Sequence, residues 1–272
     1  MNTIAFLNQK GGAGKSASSI AIAEYLAELG KKVLIIDLDP QGSVSTRLGK
    51  INKLVYIDSL WRNITIDSQE TGLLLEDILL DTTGSVDVHD VIQHTKHENL
   101  DLIPTYLTLS IAESKLRDDA IYPQQFRLKN HLENVQDEYD YCILDCSPSI
   151  SIININGLAI ADKVYIPMTP DADAIAGAAT IRNIIRTVAT YNPKLELGGL
   201  FFIKWSDNSA ICREVNELIK RYVPDLMLPF NIPNSRYLER NTFTDGANLP
   251  ANSRPGIVYR EFAEYIIKSF EA

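Results

Sequence analysis

The sequence predicts an α/β fold, a doubly wound, mostly parallel sheet with helices on both faces. Three observations carry that expectation. Short β-branched runs alternate with amphipathic segments along the whole chain. Several runs are apolar on both faces, as central parallel strands are. No Pro/Gly/Ser linker, internal repeat or change of class interrupts the alternation, so residues 1–272 read as a single domain.

The elements follow in order. Strands are expected at Thr3–Asn8, Val33–Asp37, Leu100–Pro104, Tyr141–Asp145, Lys163–Pro167 and Leu197–Lys204. Helices are expected at Ser16–Leu29, Pro123–Val135, Ala174–Thr190 and Ala210–Tyr222, with Pro123 placed at a first helical turn. Gly49–Gly72 is the least regular stretch and reads as a surface excursion. Pro255–Phe270 closes the chain as a helix with Ile257, Phe262, Ile266 and Ile267 on its apolar side. Because the first strand opens at residue 3, no DNA-binding helix-turn-helix is expected in front of it.

Composition narrows the classes. A chain of 272 residues that is 45% hydrophobic and 22% charged can bury a core and is not disordered. Apolar runs such as Ile150–Ala161 are too short to span a bilayer, and Met1–Leu7 lacks the basic start of a secretory signal. Cys142, Cys146 and Cys212 have neither zinc nor disulfide spacing, which suits buried thiols in a reducing cytoplasm. The net charge of −9 is concentrated: residues 58–101 hold 10 acidic and 2 basic side chains, whereas 151–272 hold 13 of each. A local basic patch therefore stays open, and the acidic sum does not exclude DNA.

The chemistry begins at Lys10-Gly11-Gly12-Ala13-Gly14-Lys15-Ser16, which follows an apolar strand and opens a helix. That is the context of a phosphate-binding loop, and it identifies a P-loop NTPase. Glycines let backbone N–H groups turn inward round a phosphate, and the helix N-terminus adds positive potential. Lys15 would reach the β/γ-phosphates of ATP and the Ser16 hydroxyl would ligate Mg²⁺. The usual first glycine is missing, since Gln9 stands there, and Lys10 follows it. Asp37 and Asp39 end the second strand in the run Asp37-Leu38-Asp39-Pro40-Gln41-Gly42, and Asp145 ends another apolar strand. In open α/β sheets ligands gather at those carboxyl ends. A lone aspartate there is commonly a helix cap; three beside a phosphate loop point to a site.

Lys10–Ser16, Asp37–Gly42 and Asp145-Cys146-Ser147-Pro148-Ser149 together resemble the ParA/Soj partition ATPases, within the ParA–MinD family of deviant-Walker, SIMIBI-like NTPases. The resemblance runs on through Asp90–Leu116 and Asn231–Arg236, so it covers nearly the whole chain. It implies a homodimer that closes on ATP and Mg²⁺, with Lys10 reaching the partner's nucleotide. It also implies that Asp39 orients the attacking water, and that Asp145, with Asp37, holds the metal through water. Gly11, Gly12, Ala13, Gly14 and Ala17 would complete the nucleotide loop, and Ile232, Pro233 and Asn234 resemble the adenine-contacting segment. Three departures stand out: Ala13 for a usual Val, Ala17 for a Thr, and Ser147 for the first Pro of a Pro-Pro pair. The excursion at Gly49–Gly72 is longer than in typical chromosomal members.

The remaining residues weigh less. His89, His94, His97 and His131 form no metal motif and read as solvated. Trp61, with Leu60 and Ile64, reads as a cap on the core or as a partner surface, and the core is the expectation. Arg182 and Arg186 share a helix face, and Lys220 and Arg221 end the next long helix. The family binds DNA nonspecifically through such surface cations, so Arg186, Lys220 and Arg221 are the candidate contacts. The expected activity is ATP hydrolysis, weak alone and stimulated by a ParB-like partner, in a cytoplasmic, nucleoid-associated protein. A MinD-like positioning ATPase on a membrane or scaffold is the alternative; it would want a basic amphipathic C-terminal helix, and the tail here is mixed in charge. An iron–sulfur carrier would need cysteines at the dimer axis, and a small-molecule kinase or ligase has no use for Lys10; both rank lower.

Overall fold

The computed structural model describes residues 1–62, 64, 68–171, 173–240 and 249–271, those at 68, 69, 239 and 240 as backbone only. Among them eight strands form one sheet: β1 (Asn2–Phe6), β2 (Val33–Leu38), β3 (Gln93–His94), β4 (Leu100–Ile103), β5 (Tyr141–Cys146), β6 (Lys163–Met168), β7 (Glu196–Trp205) and β8 (Met227–Pro233). Their order is β3-β4-β2-β5-β1-β6-β7-β8, and every pair is parallel except β3–β4 at the edge. The expected doubly wound α/β architecture is present.

Alternation of side chains explains why helices cover both faces. Val33 and Ile35 of β2, with Tyr141 and Ile143 of β5, point into one core, beneath α1 (Lys15–Glu28) and α13 (Arg254–Glu271). Leu34, Ile36 and Leu38, with Cys142, Leu144 and Cys146, point into the other. That second core is closed by α5 (Leu75–Leu80), α7 (Leu109–Asp118), α8 (Arg127–Leu132), α9 (Ile152–Leu158), α10 (Ala174–Val188) and α11 (Ala210–Tyr222). α1 is Ala- and Ile-rich and buried almost all round, because it lies between the sheet and α13. Cys142, Cys146 and Cys212 are free thiols and all buried, as expected.

Several local expectations need correction. Gly49–Gly72 is largely helical, holding α3 (Lys53–Arg62) and α4 (Ser68–Thr71) just after α2 (Ser45–Leu48). α3 buries Tyr56 and Ser59 and turns Trp61 to the opposite side, where it is 87% exposed rather than in the core. Pro123 does not open an α-helix: its ψ of 107° is extended, a 3₁₀ turn follows at Gln124–Phe126, and α8 begins only at Arg127. On α13, Phe262 and Ile266 are buried and Ile267 is partly so, whereas Ile257 is 46% exposed and lies off the apolar side. His131 is buried near Asp81 (4.0 Å) rather than solvated. Helices α5, α6 (Val88–Val91), α7 and α12 (Arg236–Arg240), and strands β3 and β8, add to the elements expected.

Candidate nucleotide site

β1 ends at Phe6, and the chain turns outward through Asn8. The Asn8 side chain donates to the Pro167 carbonyl (2.6 Å) and accepts from the Lys10 N–H (2.9 Å), so β6 fixes where the loop begins. Gly12 and Gly14 take left-handed conformations, φ +71° and +76°, which a side chain would strain. Gly14 has a second reason to be glycine: a Cβ there would stand 2.6 Å from Ile203 Cδ1. It is the residue before α1, with no side-chain cap, so the first N–H groups of that helix face the loop.

The two loop lysines part company. Lys15 is buried, and its Nζ leans back on the Lys10 carbonyl at 3.4 Å. Burial lowers its pKa, while the negative charges of Asp145 and Asp39 pull the other way. Lys10 points outward instead. Its Nζ sits 2.6 Å from Asp171 Oδ2, beyond the end of β6, with both side chains partly exposed.

Parallel pairing sets Asp37 of β2 directly beside Asp145 of β5, and both are fully buried. Burial pushes each carboxyl's pKa upward, and the neighbouring acids Asp145, for Asp37, and Asp39, for Asp145, push the same way. The two are held differently. Asp37 Oδ2 accepts from the Val44 N–H (3.0 Å), the Ser45 N–H (2.8 Å) and the Ser45 hydroxyl (2.8 Å), so it anchors the segment that carries Asp39. Asp145 Oδ1 accepts from the Ser19 hydroxyl (2.9 Å), and the Ser16 hydroxyl adjoins the same carboxylate. Asp145 Oδ2 is buried without a hydrogen-bond partner. A buried anionic oxygen with no donor, next to a serine hydroxyl at a phosphate loop, suits a hydrated divalent cation.

A cavity of about 690 Å³ opens over the loop. Gly11, Gly12, Gly14, Lys15, Ser16 and Ala17 form its floor, and Asp39 stands in one wall. Pro148, just after β5, forms another part of the rim. Of the candidate adenine contacts, Asn234 lines the cavity, whereas Ile232 is packed in the core and Pro233 is buried beside it. The Asn234 N–H donates to the Trp205 carbonyl (3.1 Å), which ties that wall to the end of β7. Ala13 is buried beneath the loop. Arg186 on α10 and the end of α11, with Lys220 and Arg221, lie away from this cavity, near a second one shared by the two helices.

Sequence reasoning missed Thr46, Arg47, Lys53, Lys204 and Tyr259, which also line the cavity. Lys204 left a faint signal as a cation at a strand's carboxyl end, and it takes φ +54° there. Tyr259 left none: it reaches the site because its hydroxyl meets Ser18 Oγ (2.9 Å), locking α13 onto α1.

The fold agrees with comparisons to known proteins. A family profile described as "AAA domain" matches residues 1–197. The chromosome-partitioning ATPase Soj of Treponema pallidum is 33% identical over 234 residues, which span 86% of this chain and 83% of that protein. Cobyrinic acid a,c-diamide synthase from Mycobacterium smegmatis, solved with a bound ATP analog and magnesium, has a TM-score of 0.78 at 25% identity, covering 100% of this chain and 96% of its own. A putative plasmid partition protein from Borrelia burgdorferi, bound to AMPPNP, has a TM-score of 0.73 at 27% identity and 98% coverage of both chains.

Proposed function

Because the chain belongs to the ParA/Soj family of partition ATPases, we propose that it is an ATP- and Mg²⁺-dependent switch for DNA partition. In this reading it closes into a homodimer on ATP, binds duplex DNA without sequence preference, and hydrolyses ATP when a ParB-like, centromere-binding partner engages it. The observation that carries the reading is the division of labour between the two loop lysines. Lys15 lies inside its own cavity, while Lys10 stands outside it, paired with Asp171. A cation outside its own phosphate site is placed to meet a second one, and closing two polyphosphate sites face to face requires such compensation.

Each residue then has a task. The loop amides and Lys15 bind and orient the phosphates. Ser16 and Asp145 would hold the magnesium, Asp145 through water, and the metal would supply neutralisation of the phosphate charge. Asp39 orients the attacking water; Asp37 keeps the Asp39 segment in place and touches the metal shell at most through water. Ala17 and Asn234 bound the nucleoside end, with Ile232 and Pro233 supporting Asn234.

DNA contact is assigned to Arg186, Lys220 and Arg221, used twice in a dimer so that phosphate contacts double. Burial of Tyr259, Phe262 and Ile266 against α1 and β8 supports this over a membrane role, since those apolar groups are already occupied. Light scattering with ATP and Mg²⁺ tests the core of the proposal: wild type should double in mass and Lys10→Ala should not. Filter retention of duplex DNA at low salt should require ATP and vanish when Arg186, Lys220 and Arg221 become Glu. ATP-dependent sedimentation with liposomes, in the absence of DNA retention, would replace the partition role with a membrane one.

A further inference from the structure

A second cavity, of about 280 Å³, lies between α10, α11 and the sheet, away from the nucleotide site. Its floor is apolar, made by Leu197, Leu200, Ile219, Val223 and Leu226. It exists because α10 presents small side chains there: Ala178 and Ala179 stand where larger residues would fill the gap. The rim is cationic. Arg182 and Arg186 both line it, one helical turn apart, and neither has a hydrogen-bond or ion-pair partner among the described residues. The exposed Tyr222 ring completes the mouth.

We propose that this cavity is a binding site for a small amphipathic anion, a carboxylate with a short apolar or aromatic tail. An apolar pocket with a few convergent polar groups is the usual form of a small-molecule site. The two unpaired guanidinium groups choose the sign of the head group, since planar N–H donors match a carboxylate in two-point contact. The floor chooses the tail, which loses water on entry. The volume falls just below the usual range for drug-sized ligands, which restricts the tail to a short one. A cationic amphiphile of the same length would meet the arginines with the wrong charge.

The site does not depend on nucleotide or DNA binding, although Arg186 serves both surfaces. The test uses the full chain and the fluorescent sulfonate 8-anilinonaphthalene-1-sulfonate as probe, displaced by octanoate or octylammonium. Octanoate should displace the probe at a concentration at least tenfold lower than octylammonium. The double variant Arg182→Ala/Arg186→Ala should weaken octanoate tenfold or more. Ala179→Leu places its added bulk at the mouth rather than in the core. It should abolish probe enhancement while its ATP hydrolysis, thermal midpoint and DNA retention stay at wild-type values. Equal displacement by both amphiphiles, or undiminished probe binding by a folded Ala179→Leu, overturns the proposal. Either result leaves the partition reading untouched, because DNA retention is scored separately.

Discussion

Replacing Ser45 by Ala removes one oxygen, takes one of three donors from Asp37 Oδ2 and leaves the Thr105 N–H without its acceptor. The Ser45 hydroxyl donates to Asp37 Oδ2 at 2.8 Å and accepts from the Thr105 N–H at 2.9 Å, and the side chain is wholly buried. A hydrogen bond to a charged group contributes about 1.5–3 kcal/mol, and a buried donor left without an acceptor costs about 1–3 kcal/mol. The lower ends, taken to allow for some relaxation, together give a loss of about 2.5 kcal/mol. In a domain of this size each kcal/mol moves the thermal midpoint by roughly 2–4 °C, so a fall of about 5–10 °C is expected. The sign of the pH dependence follows from Asp37. Its folded carboxyl already titrates above the unfolded value because it is buried, and Ser45 holds it down. Stability from this group is fullest below the unfolded pKa and declines as pH rises towards the folded one. Without the hydroxyl the folded pKa climbs further, so the deficit should be larger at pH 8 than at pH 5. Calorimetry of the nucleotide-free chain at both pH values reads this directly. A midpoint within 1 °C of wild type at pH 8 would refute the account of Ser45 as the hinge between Asp37 and Thr105.

Three further outcomes are expected. Asp39→Ala should bind ATP and dimerise but release phosphate at least a hundredfold more slowly, since positioning and electrostatics carry most of phosphoryl transfer; wild-type turnover would move the water-orienting role to Asp37. Asp145→Asn removes one of two adjacent buried charges, so the nucleotide-free midpoint at pH 8 should rise and its decline with pH should flatten, while Mg²⁺ no longer strengthens ATP binding; an unchanged Mg²⁺ effect in titration calorimetry would count against Asp145 as the metal-water holder. Gly14→Ala forces a side chain into φ +76° and against Ile203, at a cost of roughly 1–2 kcal/mol for the left-handed backbone alone, and should weaken ATP at least tenfold. Wild-type affinity in that variant would mean the loop is not held in this conformation when it binds.

How much of this was legible depended on distance along the chain. β2 and β5 declared themselves because every residue is apolar or carries a carboxylate at the end, and the phosphate loop because its glycines and lysine lie within seven positions. The partners of those residues did not. Asp171 meets Lys10 across 161 positions, and Ser19 meets Asp145 across 126. Nothing local marks either pair. β8 was hidden by Pro229 and Pro233, which an edge strand tolerates where a central one would not. Trp61 misled for a different reason: hydrophobicity predicts burial only when the helix turns that face inward, and α3 spends its inward face on Tyr56, whose ring lies tilted against Tyr106 with centroids 5.3 Å apart. His131 erred in the other direction, since its polar ring lies inside, near Asp81.

The buried cysteines make the native chain its own background for thiol chemistry. Burial holds the Cys142 and Cys146 thiols far above their ordinary pKa, so almost no thiolate exists at neutral pH to attack a maleimide. A single cysteine introduced at an exposed position, such as Leu54 or Ile121, can therefore carry a fluorophore without removal of any native residue. The same shielding makes the two β5 thiols a clock. They lie on a central strand with their side chains in the core that the helices close over the sheet, so an alkylating reagent reaches them only when that core opens. The slow phase of alkylation in the native chain would then time that opening, and its lengthening by added nucleotide would report binding with no label at all.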